Sequence, residues 1–266
     1  MRGARQAFRS EIIVSIATLI AILATLAVNI LSNFFPPQGL NIGEIANTIL
    51  KRVEITPANY AFAIWGLIYL GLIAYGTYQL RPAQRGNPTI RRVDLLLIMA
   101  CIAQMAWVYL FTLRLFWLSV VAMLGILLPL MGAYLHLEIG RARVSQEQKW
   151  LVQVPFSLYL SWISVATIVN IAAALYNSGW SGWGISAAGW TVIMLILGMV
   201  IGGIIAMQRT DVAFTLVFVW AYVAIAIRQL NDPVNDPAIW MTAAAAAIAL
   251  VTLLILGRMR RSMPSS

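Results

Sequence analysis

Charge is what this chain lacks most. Asp, Glu, Lys and Arg make up 10% of its 266 residues, against roughly 25% in an ordinary soluble domain. A water-facing surface cannot be built from so little charge when 61% of the residues are hydrophobic. Cysteine is almost absent. Cys101 stands alone, which excludes a disulfide framework or a thiolate metal site within one chain, and it reads as a small buried filler. Histidine is as scarce: His136 sits near Glu138 at the end of an apolar run, where an interfacial role outweighs haem ligation. No ionisable residue falls at the centre of any long apolar run, which argues against an ion-coupled pump. A phosphate-binding Gly-Lys-Ser loop, a pair of buried carboxylates and a nucleophile–histidine arrangement are all missing. The expectation is therefore no catalytic residue, no metal and no cofactor.

What the chain does have is long apolar runs. Eight are uncharged or nearly so, at about 12–32, 58–79, 93–113, 116–137, 150–175, 185–207, 212–230 and 237–257. About twenty such residues cross the hydrocarbon core as a helix. The reading is an all-α, polytopic transmembrane bundle of about eight spans.

The net charge of +9 suggests a polyanion until its distribution is traced. With eight spans and a cytoplasmic N-terminus, the inner segments hold Arg2, Arg5, Arg9, Arg81, Arg85, Arg91, Arg92, Arg141, Arg143, Lys149, Arg209, Arg258, Arg260 and Arg261. The outer segments hold Lys51, Arg52, Arg114 and Arg228. Fourteen against four is the positive-inside bias, so nucleic acid is not the partner; membrane lipid is. Both termini are expected in the cytoplasm, in a multi-pass protein of a bacterial plasma membrane. The first run follows a basic stretch but is too long for a cleaved signal, and reads as a retained signal anchor.

The connections are short except for Ser32 to Pro57. There Pro36 and Pro37 break the first helix, and Ile42, Ile45 and Ile49 recur at helical spacing. They suggest an amphipathic turn or two on the outer surface, forming either a lid or a wet connector. NSGWSGWG at 177–184 reads as an interfacial turn. Gly198 and Gly202 form a GxxxG pair, and MTAAAAAIAL in the last helix permits close packing. Asp94 and Asp211 are expected to cap helices, Arg228 to snorkel to headgroups, and Trp220 and Tyr222 to pack between helices.

Three helices carry aromatic–polar stripes at mid-depth, where an interfacial belt does not explain them. Phe62, Trp65, Tyr69, Leu72 and Gly76 are spaced 3, 4, 3 and 4, one face of a helix. Gln104, Trp107, Phe111 and Arg114 follow on the third span, and Tyr159, Trp162, Ala166 and Asn170 on the fifth. Two explanations stay open. The stripes are helix seams, with Gln104 and Asn170 bonded to each other or to carbonyls, or they line a cavity for a flat hydrophobic ligand.

Those residues also carry a resemblance. TPANYAFAIWGLIY, QMAWVYLFTLR and PFSLYLSWISVATIVN resemble the second-, third- and fifth-helix signatures of the translocator protein/tryptophan-rich sensory protein (TspO/MBR) family. Gln104 stands where the family usually has Asn, Tyr109 replaces a proline, and Pro155 lies three residues early. The resemblance covers roughly residues 10 to 178. It implies a five-helix bundle holding a porphyrin or other hydrophobic small molecule, for sensing or transport. Ligand-binding residues would be Phe62, Trp65, Tyr69, Gln104, Trp107, Phe111, Tyr159, Trp162, Ala166 and Asn170. Other roles it implies are light-dependent porphyrin breakdown and, without a ligand, structural partnership. The expected organisation is a TspO-like bundle over 1–178 and a three-helix extension over 179–266.

Overall fold

A computed structural model describes residues 2–84, 86–232 and 236–262, with side chains from Ile12 onward. Arg85 and the side chains of Arg2, Arg5 and Arg9 lie outside the described residues. Eight helices are long and apolar enough to cross a membrane, and no strand occurs among the described residues. They are α1 (Arg2–Phe34), α2 (Ile64–Gln79), α3 (Pro88–Thr112), α4 (Phe116–His136), α5 (Val154–Asn177), α6 (Ala187–Gln208), α7 (Val212–Leu230) and α8 (Pro237–Ser262). This is the expected polytopic helical fold.

Helix starts follow from their caps. Asn87 accepts hydrogen bonds from the amides of Thr89 at 3.0 Å and Ile90 at 3.4 Å, and Pro88 supplies a preset φ at the first helical position. α3 therefore starts ahead of the apolar run, and Asp94 does not cap it. Asp94 falls inside the helix and is buried. Asp211 does cap α7, accepting from the Phe214 amide at 3.1 Å.

Contacts divide the chain into two compact units. The first comprises Met1–Ile42 and Ile64–Leu160, the second Gly43–Ala63 and Ser161–Ser266. The division falls within α5, after Leu160.

In the first unit α3 packs against α1 and α4, and α1 against α2. Close approach depends on small residues. A Cβ added to Gly71 would lie 3.1 Å from Cβ of Pro155, and one on Gly76 would lie 3.0 Å from Leu19. Gln79 ties α2 to α1 by donating to the Ser15 carbonyl at 2.8 Å. Where amides are scarce and water absent, such a bond costs no competing hydration.

In the second unit α6, α7 and α8 pack on one another. A Cβ on Gly198 would lie 2.6 Å from the Tyr222 hydroxyl and one on Gly202 3.0 Å from Leu250, so the GxxxG pair serves α7 and α8 contacts. Tyr222 donates to the Leu195 carbonyl at 2.7 Å, and the Trp220 indole to the Ala61 carbonyl at 3.1 Å. Both are packing residues, as expected. Trp180, Trp183 and Trp190 cluster with ring centroids 5.1–6.3 Å apart around the turn that NSGWSGWG predicts.

The long connection holds the short amphipathic helix that its spacing predicts, Ile42–Asn47. Ile45, Ala46, Leu50, Val53 and Ile55 are buried, so it is not a wet connector. Arg228 is the second correction. It does not reach for headgroups: its guanidinium donates to Asn47 Oδ1 at 3.3 Å and to the carbonyls of Pro57, Ala46 and Lys51 at 3.4 Å. Carbonyls unpaired by helix or sheet compete well with solvent for a five-donor fork.

Candidate functional site

The first unit holds six of the ten expected ligand-binding residues. Trp65 and Tyr69 are one turn apart on α2 and stack, with centroids 5.6 Å apart and planes 26° apart. Trp65 also meets Tyr159 of α5 edge-on at 6.0 Å. Tyr69, Tyr159 and Cys101 lie close enough to interact electrostatically. Three helices thus converge on one aromatic patch in this unit.

In the same unit α3 carries a buried stripe that includes Cys101, Gln104, Trp107 and Phe111. Trp107 and Phe111 are 5.2 Å apart, and Phe111 meets Phe116 edge-on at 5.3 Å. That end of the stripe is filled by ring packing.

Gln104 is different. It is fully buried at 0% exposure, and neither its Nε2 nor its Oε1 has a hydrogen-bond partner. The Tyr69 hydroxyl is also buried and unpartnered. Each orphaned group costs about 1–3 kcal/mol. A helix seam can satisfy such groups, as the Tyr222 hydroxyl and the Gln79 Nε2 are satisfied elsewhere, although the Gln79 Oε1 is buried without a partner. The amide bond expected of a packed stripe is not made at Gln104.

The second unit holds the remaining four residues. Phe62 meets Trp162 edge-on, 6.0 Å between centroids. Trp162 and Asn170 are buried, while Phe62 and Ala166 are half-buried. Asn170 has an interacting partner. Phe62 lies in a 3₁₀ turn, Asn59–Ala63, immediately before α2.

Sequence reading missed two participants. Cys101 is three residues before Gln104 and shares its face, so the wheel that found Gln104 also contains it. Tyr75 donates to Asp94 at 2.6 Å. The spacing of Ile90, Asp94, Leu97 and Cys101 places Asp94 inward, a signal hidden by treating it as a cap. Among the described residues no group of three or more His, Cys, Asp or Glu side chains is placed to hold a metal.

Chemically, the first unit offers flat ring faces, one buried amide and one buried hydroxyl available to bond. Neither a charge nor an acid–base pair accompanies those two groups. No curated protein and no solved structure matches the chain at a significant level. The family described as TSPO-like protein matches residues 15–256, running from α1 into α8 and so through the helices beyond residue 178. Eight apolar helices and a match of that extent identify the chain as an integral membrane protein that belongs to the TSPO-like family.

Proposed function

We propose that this protein binds a planar hydrophobic ligand of the tetrapyrrole class within its first five helices, for sensing or transport and without catalysis. One observation carries the reading: the unbonded Gln104 amide and Tyr69 hydroxyl are buried in the unit that carries the stacked Trp65–Tyr69 pair. Ring faces suit a macrocycle, and an amide with both donor and acceptor suits a neutral polar edge on it. Phe62, Trp162, Ala166 and Asn170 are assigned to the ligand on the family resemblance alone. The last three helices are a packing extension. The fourteen-to-four charge bias supports cytoplasmic termini in a bacterial plasma membrane.

The test is quenching of tryptophan fluorescence by protoporphyrin in the dark, in the parent and in Trp65→Leu and Trp162→Leu variants. Saturable micromolar quenching that weakens in the variants supports the reading. Linear quenching, equal in all three, reports detergent partitioning and overturns it.

A further inference from the structure

The segment Gly43–Ala63 has no continuous secondary structure, yet Val53, Ile55, Thr56, Pro57 and Ala61 in its second half are buried. Its exposed-type backbone groups are claimed by α7. Besides the four acceptors bonded by Arg228, Gln229 donates to the Glu54 carbonyl at 2.7 Å, and Trp220 donates to the Ala61 carbonyl. In return the Ala58 amide donates to the Ala224 carbonyl at 3.1 Å. Tyr60 packs edge-on against Trp220 at 5.1 Å. From α6, Thr191 donates to Glu54 at 3.4 Å.

Most of these contacts are side-chain bonds to loop acceptors rather than a ladder, and five of them come from two consecutive residues, Arg228 and Gln229. Such an arrangement opens as a unit when its central donor is lost. The strap ends on Phe62, whose ring meets Trp162, and Ala63 is followed at once by the first residue of α2.

We propose that Gly43–Ala63 is a strap latched to α7, with Arg228 as the bolt, and that its release parts Phe62 from Trp162. The last three helices then have a conformational role of their own. The latch does not rest on the ligand reading, and an experiment without ligand tests it.

The experiment measures maleimide labelling of the purified full chain in detergent. Thr56→Cys reports the strap, where Thr56 is 2% exposed, and Thr215→Cys reports the body of α7, where Thr215 is 0% exposed. Native Cys101, also buried, sets the background in the chain without a reporter. Arg228→Leu should speed labelling of the strap reporter by about tenfold, the change in opening expected from losing one or two net hydrogen bonds. Labelling of the α7 reporter should stay at its parent rate. Arg228→Lys, which keeps the charge but not the fork, should fall between Arg228→Leu and the parent. Unchanged labelling of the strap reporter overturns the latch. Equal acceleration of both reporters overturns it too, because Arg228 would then hold the whole unit.

Discussion

The Tyr75 hydroxyl donates to Asp94 Oδ1 across 2.6 Å, joining α2 to α3 with both side chains buried. The Tyr75 phenol is the partner this carboxyl has across the helices, while the Arg81–Glu147 ion pair is exposed and elsewhere. The phenol is what makes its burial tolerable. Tyr75→Phe should therefore lower stability by about 1–3 kcal/mol, and Asp94→Asn, which still accepts from Tyr75, by less. Thermal unfolding of both single variants in one detergent checks this. Because Asp94→Asn keeps the acceptor, Tyr75→Phe is the change that breaks the bond, and an unchanged midpoint for Tyr75→Phe would mean the bond contributes nothing.

Gln104 separates stability from binding. Gln104→Leu removes a buried amide that has no partner, so the ligand-free protein should be as stable as the parent or gain about 1 kcal/mol. Protoporphyrin affinity should fall at least severalfold. Unfolding midpoints measured with and without ligand give both signs in one experiment. A loss of stability without ligand would show that the amide bonds within the protein after all.

Two glycines should respond in opposite directions. A Cβ on Gly257 of α8 would lie 2.7 Å from the Ala206 carbonyl oxygen and 3.2 Å from Met207 Cα, both backbone atoms, whereas one on Gly66 of α2 meets nothing within 4 Å. Gly257→Ala should cost about 1–3 kcal/mol by overpacking. Gly66→Ala should stabilise by about 0.5–1 kcal/mol through helix propensity. Denaturation midpoints of the two variants beside the parent decide the matter.

Strap closure should depend on pH through Glu54. Partial burial is the main cause that raises its pKa above the usual carboxylate value; Asp236 and Asp232 add to it, and the Thr191 bond opposes it. A raised folded pKa favours the protonated, folded form. The contribution is complete below about 4.5, the unfolded value, and is lost as pH rises from there through the folded pKa. Thr56→Cys labelling, corrected for thiol reactivity with the Thr215→Cys reporter, should therefore slow at mildly acidic pH. Glu54→Gln should flatten that profile. A profile identical in the two proteins would remove Glu54 from the account.

How much of this was legible beforehand varies by residue. The eight spans follow from run length alone, since lipid requires every backbone group to bond within its own helix. The stripes of α3 and α5 were legible because helical periodicity survives in isolation. The 3₁₀ turn at Asn59–Ala63 was not legible, because nothing in NYAFA separates it from the α-helix that follows. Asp94 was mistaken for a cap because the apolar run starts after Arg91 and Arg92, while Asn-Pro at 87–88 is the stronger start signal. Arg228 could not be read at all. Its acceptors are mostly backbone carbonyls, which every residue has and no motif records.

The strap also sets an order of events in biogenesis. Its bonds to Arg228 and Gln229 span 171 to 182 residues of chain. At about 5–20 residues per second, the ribosome needs roughly 10 to 35 s to make α7 after Gly43–Ala63 has left it. For that interval the carbonyls of Ala46, Lys51, Glu54 and Pro57 lack the donors they have in the finished chain. A nascent chain halted before residue 212 should present this stretch to insertion factors and proteases, and the finished chain should not.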